Sequence, residues 1–353
     1  MTLAALVPRL LADGHAVTLL YRRDSPFTRV QVDQPKSFAG VETLGLYAPV
    51  LWTAVRLSIA LWWHRPDALF LPAHSVPLYV PRSVRVVVVV HGLEYETVPE
   101  GYSTLDRILM RLFVRRAAER ADRIVAVSQA TRTNLAQYYD IPESKIIVSY
   151  EGLVTADPTA VSEHTQELSS VSAQVNSVFM GRLEVRKNVG RILAAWREIL
   201  NHPSISKPTG ELHFLGRLGF GGESFVQLAK NTPKTTVHGY VSETKKQELL
   251  APGNVLIYPS LDEGFGLPVL EGAARGLVVV TSLVGSLPEV AAQGAVFVNP
   301  YDVQSIARGW QLAVDRESLR TWLPPRAKDN LGRFSWGSHA TTIAETLAPR
   351  LED

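Results

Sequence analysis

The 353-residue chain has no cysteine, so neither a disulfide nor a thiolate metal site is available to it. It carries almost no net charge. Its 36 Lys and Arg against 34 Asp and Glu leave +2, which excludes the basic excess expected of a nucleic-acid binder. No Gly-x-Gly-x-x-Gly follows an apolar run, so the fingerprint of a dinucleotide-binding dehydrogenase is missing. Long uninterrupted apolar runs are missing too. The one span candidate, Leu46 to Trp63, contains Pro49 and Arg56 and runs into His64-Arg65-Pro66, and it reads as a core helix. Met1 to Leu20 shows neither the basic start nor the small-residue cleavage site of a secretory signal. The expectation is a cytoplasmic protein, with peripheral contact at the inner face of the plasma membrane left open.

What is present is a chain with 46% hydrophobic residues and length enough for two cores. Short apolar runs alternate with helical patterns: Ala16 to Leu20, Ala68 to Leu71, Val86 to Val90, Ile124 to Val127 and Ile146 to Val148. A second series follows at Ser177 to Met180, Glu211 to Leu215, Thr236-Val237, Asn254 to Tyr258, Val278 to Val280 and Ala295 to Phe297. Such alternation predicts parallel α/β sheets. The polar stretch Thr155 to Gln174 separates the two series. The expected division is 1–154, a linker at 155–175, 176–334, and a final helix at 335–353 returning to the N-terminal domain. No internal repeat or low-complexity tract is evident.

In parallel sheets ligands bind beyond the C-terminal strand ends, and the polar candidates cluster there. Pro259-Ser260-Leu261-Asp262-Glu263-Gly264-Phe265-Gly266-Leu267-Pro268-Val269-Leu270-Glu271 joins an apolar strand to a helix that Gly276 closes. Pro268 suits a first helical turn, whose free N–H groups attract phosphate, and Gly264 and Gly266 permit close backbone approach. This string resembles the retaining glycosyltransferases of family 4, which carry a Glu, seven residues, then a second Glu. The resemblance implies a GT-B fold: two Rossmann-like domains with parallel sheets facing across a cleft. It also implies that Glu271 binds the ribose hydroxyls, while Glu263 and the N–H groups around Phe265 to Leu267 hold sugar and diphosphate. A carboxylate is acceptor-only and suits a diol.

Gly181-Arg182-Leu183-Glu184-Val185-Arg186-Lys187-Asn188 precedes a helix with Asn188 as its natural N-cap. By resemblance Gly181, Arg182 and Lys187 face the diphosphate, and the base lies near the Gly239-Tyr240-Val241 turn. His91-Gly92-Leu93-Glu94-Tyr95-Glu96 resembles the loop whose histidine approaches the donor sugar, although a structural histidine there is equally expected. Ser128, in Val127-Ser128-Gln129-Ala130-Thr131, also matches a family position. Ser149-Tyr150-Glu151-Gly152-Leu153 departs from the family, which usually has Asn-Gly there. The site residues expected from sequence are therefore His91, Arg182, Lys187 and Glu263 as catalytic groups. Gly181, Ser128, Tyr240, Val241, Gly264, Phe265, Gly266, Leu267 and Glu271 are expected to hold the donor.

No Asp-x-Asp occurs, the arrangement by which metal-dependent sugar transferases hold a divalent ion on the diphosphate. Metal independence and no cofactor are expected, with a nucleotide-sugar donor, GDP-mannose favoured because the His91 loop looks most like that of bacterial polysaccharide mannosyltransferases. The acceptor implied is a glycan or lipid-linked hydroxyl. The stretch Leu105 to Arg123 carries Arg107, Arg111, Arg115, Arg116, Arg120 and Arg123, with Leu105, Ile108, Leu109, Leu112 and Phe113 opposite. Its basic face suits anionic lipid, and a solvated surface is the plainer reading. Leu3, Leu6, Val7, Leu10 and Leu11 make a helical stripe at once. Family members begin one strand and a glycine-rich loop earlier, so a fragment started at an internal methionine is the expectation. The rival readings are a catalytically silent sugar-nucleotide binder or partner subunit, and a GT-B sugar-nucleotide epimerase.

Overall fold

The computed structural model describes residues 2–22, 41–46, 52–153, 175–202 and 210–348. The stretch read as a linker, 155–175, lies outside them except for Val175, as do the residues beyond 348. Two compact units emerge: Met1–Gly92 with Ile108–Gly152 and Phe334–Asp353, and Leu93–Arg107 with Leu153–Arg333.

The first unit opens on α1 (Thr2–Ala12), followed by β1 (Thr18–Arg22) and β2 (Glu42–Leu46), which pair with each other in parallel. A π-turn over Trp52–Arg56 leads into α2 (Leu57–His64). Then come β3 (Ala68–Leu71), β4 (Arg85–Val90), α3 (Thr104–Arg120), β5 (Arg123–Ala126), α4 (Gln129–Tyr139) and β6 (Ile146–Val148). These strands form a parallel sheet in the order β3-β4-β5-β6. The five valines of β4 are all buried, as expected of a strand covered on both faces.

In the second unit, β7 (Ser177–Met180), α5 (Val189–Asn201), β8 (Leu212–Leu215), α6 (Gly222–Lys230), β9 (Thr235–Gly239), α7 (Glu243–Leu249) and β10 (Val255–Tyr258) follow in turn. They continue into α8 (Leu267–Ala274), β11 (Val278–Ser282), α9 (Leu287–Ala291), β12 (Ala295–Val298), α10 (Val303–Asp315) and α11 (Glu317–Asn330). The sheet runs β12-β11-β10-β7-β8-β9, all parallel. Chain order reverses between β7 and β10, which makes their C-terminal ends the crevice where such sheets bind ligands. α5 and α10 cover one face, with Trp196 and Trp310 stacked 5.0 Å apart. Their indole N–H groups donate to Pro233 O and Ser177 Oγ. The last helix, α12 (Trp336–Leu347), returns to the first unit and packs on α1, burying Ile343 and Ala340 with Leu6 and Val7.

Two helical expectations change. The Leu46 to Trp63 stretch is not a core helix: β2 ends in it, 47–51 lie outside the described residues, and α2 buries Leu57, Ala60 and Leu61 while Ile59, Trp62 and Trp63 face solvent. The basic helix ends at Arg120. Asp122 there accepts from Val86 N–H, so Arg123 opens strand β5. Among the described residues no helix is long and apolar enough to cross a membrane.

Candidate functional site

Residues 181–188 leave the C-terminal end of β7 and residues 259–266 leave that of β10, so the two motifs meet at the switch point of the second sheet. Lys187 is buried, and its Nζ lies 2.5 Å from both Tyr258 Oη and Glu263 Oε1. The Tyr258 hydroxyl donates to the same carboxylate oxygen at 2.8 Å. Arg186 Nη1 donates to Glu263 Oε2 at 3.0 Å and to Asp262 O at 3.2 Å, and Nη2 reaches Glu184 Oε1 at 3.0 Å. Glu94 completes the cluster, 3.4 Å from Arg186 Nη1 and accepting from Gly264 N–H at 3.1 Å.

Burial by itself raises the Glu263 carboxyl, but the Lys187 and Arg186 cations outweigh it and hold the group down at about 2. Burial lowers Lys187, opposed by Glu263. Asp262 next door is pushed up to about 6, first by burial and then by Glu94 and Glu263, despite hydrogen bonds from Thr97 Oγ1 and the Glu263 N–H. Adjacent carboxyls are thus driven in opposite directions, a pattern that concentrates at functional sites. The two cations, paired with Glu263, Glu184 and Glu94, lie beside a helix start whose free N–H groups attract phosphate.

The helix start is set by Gly266, with φ 103°, a conformation that favours glycine. Behind it the Ser286 hydroxyl donates to the carbonyls of Glu263 and Phe265, pinning the loop. Pro268 sits in the first turn, and the helix closes with Leu277 N–H on Gly272 O and Gly276 N–H on Ala273 O, a Schellman pair. Glu271 projects from α8, ion-paired with Lys246 of α7 and 3.8 Å from Arg275. Tyr240, just before α7, is 79% exposed under the Arg217 guanidinium, 5.3 Å from its ring centre, and Val241 follows it half-buried. A flat, exposed aromatic held by a cation is a surface on which a base can stack.

Asn188 sits differently from expectation, and Arg182 and Ser128 lie outside the buried cluster. Arg182 is exposed, whereas its neighbour Arg186 is the guanidinium in the cluster. Leu183 is fully buried and turns Arg182 outward. Asn188 does not cap α5 with its side chain. It has φ 62°, and its Nδ2 donates to Pro259 O and Pro300 O, tying two strand-end loops together. Ser128 is completely buried, its hydroxyl capping α4 at Thr131 N–H and bonded to Thr131 Oγ1.

In the first unit, His91 follows β4 and Glu151 follows β6. His91 Nδ1 lies 3.0 Å from Glu151 Oε1, and Nε2 lies 2.7 Å from Pro72 O. Both ring nitrogens therefore meet oxygen atoms, which fixes the orientation of the ring. Gly152 allows this loop to lie against α12, since a Cβ there would come within 2.2 Å of Trp336 N. Sequence reasoning quoted Glu94, Tyr258 and Arg186 without giving them a part. Only the pairing of β7 with β10 and the place of residues 93–107 in the second unit bring them to Glu263. Among the described residues no group of three or more His, Asp or Glu is placed to hold a metal ion.

The Glycosyltransferase Family 4 model matches residues 1–157, and the Glycosyl transferases group 1 model matches 162–329. O-antigen chain mannosyltransferase B of Escherichia coli is 27% identical over 277 residues, 76% of this chain and 71% of that protein. O-antigen chain mannosyltransferase RfbU of Salmonella typhimurium is 24% identical over 302 residues, 86% of this chain and 78% of that one. Among solved structures, WaaG, a glycosyltransferase involved in lipopolysaccharide biosynthesis, superposes with TM-score 0.70 at 16% identity, covering 98% of this chain and 95% of its own. Anabaena HepE in complex with UDP-glucose gives TM-score 0.70 at 18% identity, covering 98% and 94%. Both halves fall to glycosyltransferase models, and the relatives extend that match across the division: the chain belongs to the group 1 glycosyltransferases, has their GT-B fold, and is a hexosyltransferase near the bacterial polysaccharide mannosyltransferases.

Proposed function

We propose that the chain transfers a hexose, mannose in preference, from a nucleotide sugar to a hydroxyl of a glycan or lipid-linked glycan, with retention at the anomeric carbon and without a metal ion. The observation that carries the donor half is the Lys187, Arg186 and Glu263 cluster at the β7–β10 switch point, opening on the start of α8. Charge accumulates on the leaving diphosphate as the bond from C1 to its oxygen breaks, and Lys187, Arg186 and the α8 N–H groups are placed to stabilise it. The acceptor oxygen forms its bond to C1 on the same face, and its proton passes to the departing phosphate oxygen. Glu271 on α8 and the Tyr240 ring are the candidates for ribose and base. GDP-mannose is favoured because the relatives at 27% and 24% identity are O-antigen mannosyltransferases. A cytoplasmic location at the membrane where such glycans are built fits the same reading.

The test is GDP release by the purified chain from GDP-mannose and, in parallel, UDP-glucose, with and without a mannose-terminated acceptor and EDTA. GDP release accelerated by acceptor, an α-linked product by NMR and indifference to EDTA are expected. Donor binding without release would make the chain a silent binder. A new nucleotide sugar formed without acceptor would make it an epimerase, and EDTA inhibition reversed by magnesium would end the metal-free reading.

A further inference from the structure

Glu94 sits on a single helical turn, Glu94–Thr97, in the segment Leu93–Arg107 that belongs to the second unit although it lies in sequence between β4 and α3. Its carboxylate makes the contacts that an anionic ligand would make. Oε1 accepts from the Gly264 N–H at 3.1 Å and stands 3.4 Å from Arg186 Nη1. A backbone N–H just ahead of a helix start and a guanidinium are the donors by which proteins hold phosphate oxygen.

The charge balance of the cluster points the same way. Glu263, Glu184 and Glu94 are paired with Arg186 and Lys187, three carboxylates to two cations. The Asp262 carboxyl beside them, pushed up to about 6, adds further negative charge at neutral pH. A dianion entering this half-buried group meets repulsion unless one carboxylate leaves. Glu263 is fixed, since it is buried and takes Lys187, the Tyr258 hydroxyl and Arg186 together. Glu184 is packed beneath Gly219, where a Cβ would stand 2.5 Å from its Oε2. Glu94 makes the longest of the ion pairs to Arg186 and comes from a separate segment. That segment is held by few polar ties: the Thr97 hydroxyl donates to Asp262 Oδ2, and Gly101 lies against Arg186, a Cβ there being 3.5 Å from Arg186 Cβ.

We propose that Glu94 is an internal competitor of the donor: its carboxylate engages the Gly264 N–H and Arg186 in place of a diphosphate oxygen, and the strap Glu94–Gly101 withdraws when a nucleotide sugar binds. The inference rests on the donor site proposed above. Its consequence is a built-in reduction of affinity, because a ligand whose competent state is populated one-tenth of the time binds about tenfold more weakly than the open site allows. The rival role is that of a permanent prop for Arg186. A prop helps the donor, whereas a competitor opposes it, so the two predict effects of opposite sign.

Calorimetric titration of the full chain with inorganic pyrophosphate in EDTA separates them without depending on base or sugar. Glu94→Gln, which keeps an acceptor for the Gly264 N–H and removes the charge, should bind pyrophosphate about tenfold more tightly than the wild type. Thr97→Ala, which cuts the tie of the strap to Asp262, should shift affinity in the same direction by less. In the wild type, hydrogen exchange with saturating pyrophosphate should speed up over residues 93–102 and slow down over 263–268; this measurement needs no substitution, so a variant that fails to fold leaves the test intact. Equal or weaker binding by Glu94→Gln, pyrophosphate binding to neither protein, or slower exchange in both segments would overturn the proposal. GDP-mannose and UDP-glucose left uncleaved by both proteins, beside tighter pyrophosphate binding by Glu94→Gln, would remove the transfer reading and leave the competition of Glu94 with a diphosphate standing.

Discussion

At the residue scale the donor site rests on a buried group of opposed charges, and removing one member exposes the rest. Lys187→Ala should lower turnover by about 10²-fold or more, because a cation facing the leaving diphosphate is lost. It also strands Glu263 in a dry pocket with Arg186 alone, at about 3–5 kcal/mol. Lys187→Arg, which keeps the charge, separates the two effects: restored stability with turnover still depressed assigns the lysine to the chemistry. Glu263, held at about 2, contributes stability that is present above its unfolded value and lost only as pH falls toward 2. Asp262, raised to about 6, acts in the opposite sense. Its folded form favours the proton, so stability is full below pH 4 and declines as pH rises through 6. Asp262→Asn should therefore stabilise the chain at pH 8 by up to about 3 kcal/mol and do little at pH 4, read from denaturant midpoints at both values. Glu151→Gln removes the anion on His91 Nδ1 while keeping an acceptor. It should cut kcat/KM about tenfold with unchanged melting if His91 must be held in place.

At the element scale, legibility followed the physics of burial. Most strands of the two larger sheets were readable as short apolar runs, because strands covered on both faces become continuous hydrophobic segments, whereas the half-buried edge strand β9, Thr-Thr-Val-His-Gly, was legible only at Thr236-Val237. β2, Glu-Thr-Leu-Gly-Leu in a two-stranded sheet, has no such run and was missed. The string from Glu263 to Glu271 was readable because glycine, proline and helix periodicity are local signals. Arg186, Glu94 and Tyr258 were not, since their meeting depends on β7 and β10 being neighbours and on residues 93–107 joining the second unit. The loop before α8 yields its own prediction. Gly266→Ala puts a Cβ 2.8 Å from Leu287 Cδ2 at φ 103°, which should cost about 1–3 kcal/mol. It should also raise KM for the donor, while Ser286→Ala, which removes the hydroxyl's bonds to the Glu263 and Phe265 carbonyls but keeps the Ser286 N–H on Glu263 O, raises it less.

At the scale of the whole molecule, the chain passes between two units that each have a sheet and a core, so unfolding need not be a single step. α12 makes this testable, because it is the last part of the sequence yet belongs to the first unit, where Ile343 is fully buried and His339 Nδ1 meets Ser149 Oγ at 2.8 Å. Ile343→Ala should remove about 2–4 kcal/mol from the first unit. GDP, by contrast, should stabilise the second unit, where Lys187, Arg186 and Glu263 reside, by about 2.7 kcal/mol at a hundredfold excess over its Kd. Calorimetry of the wild type and of Ile343→Ala, each with and without GDP, resolves the two. A transition lowered by the substitution but unmoved by GDP, beside one raised by GDP but unmoved by the substitution, is the expected result. A single transition that answers fully to both would mean that the nucleotide site and the α1–α12 core unfold as one cooperative body.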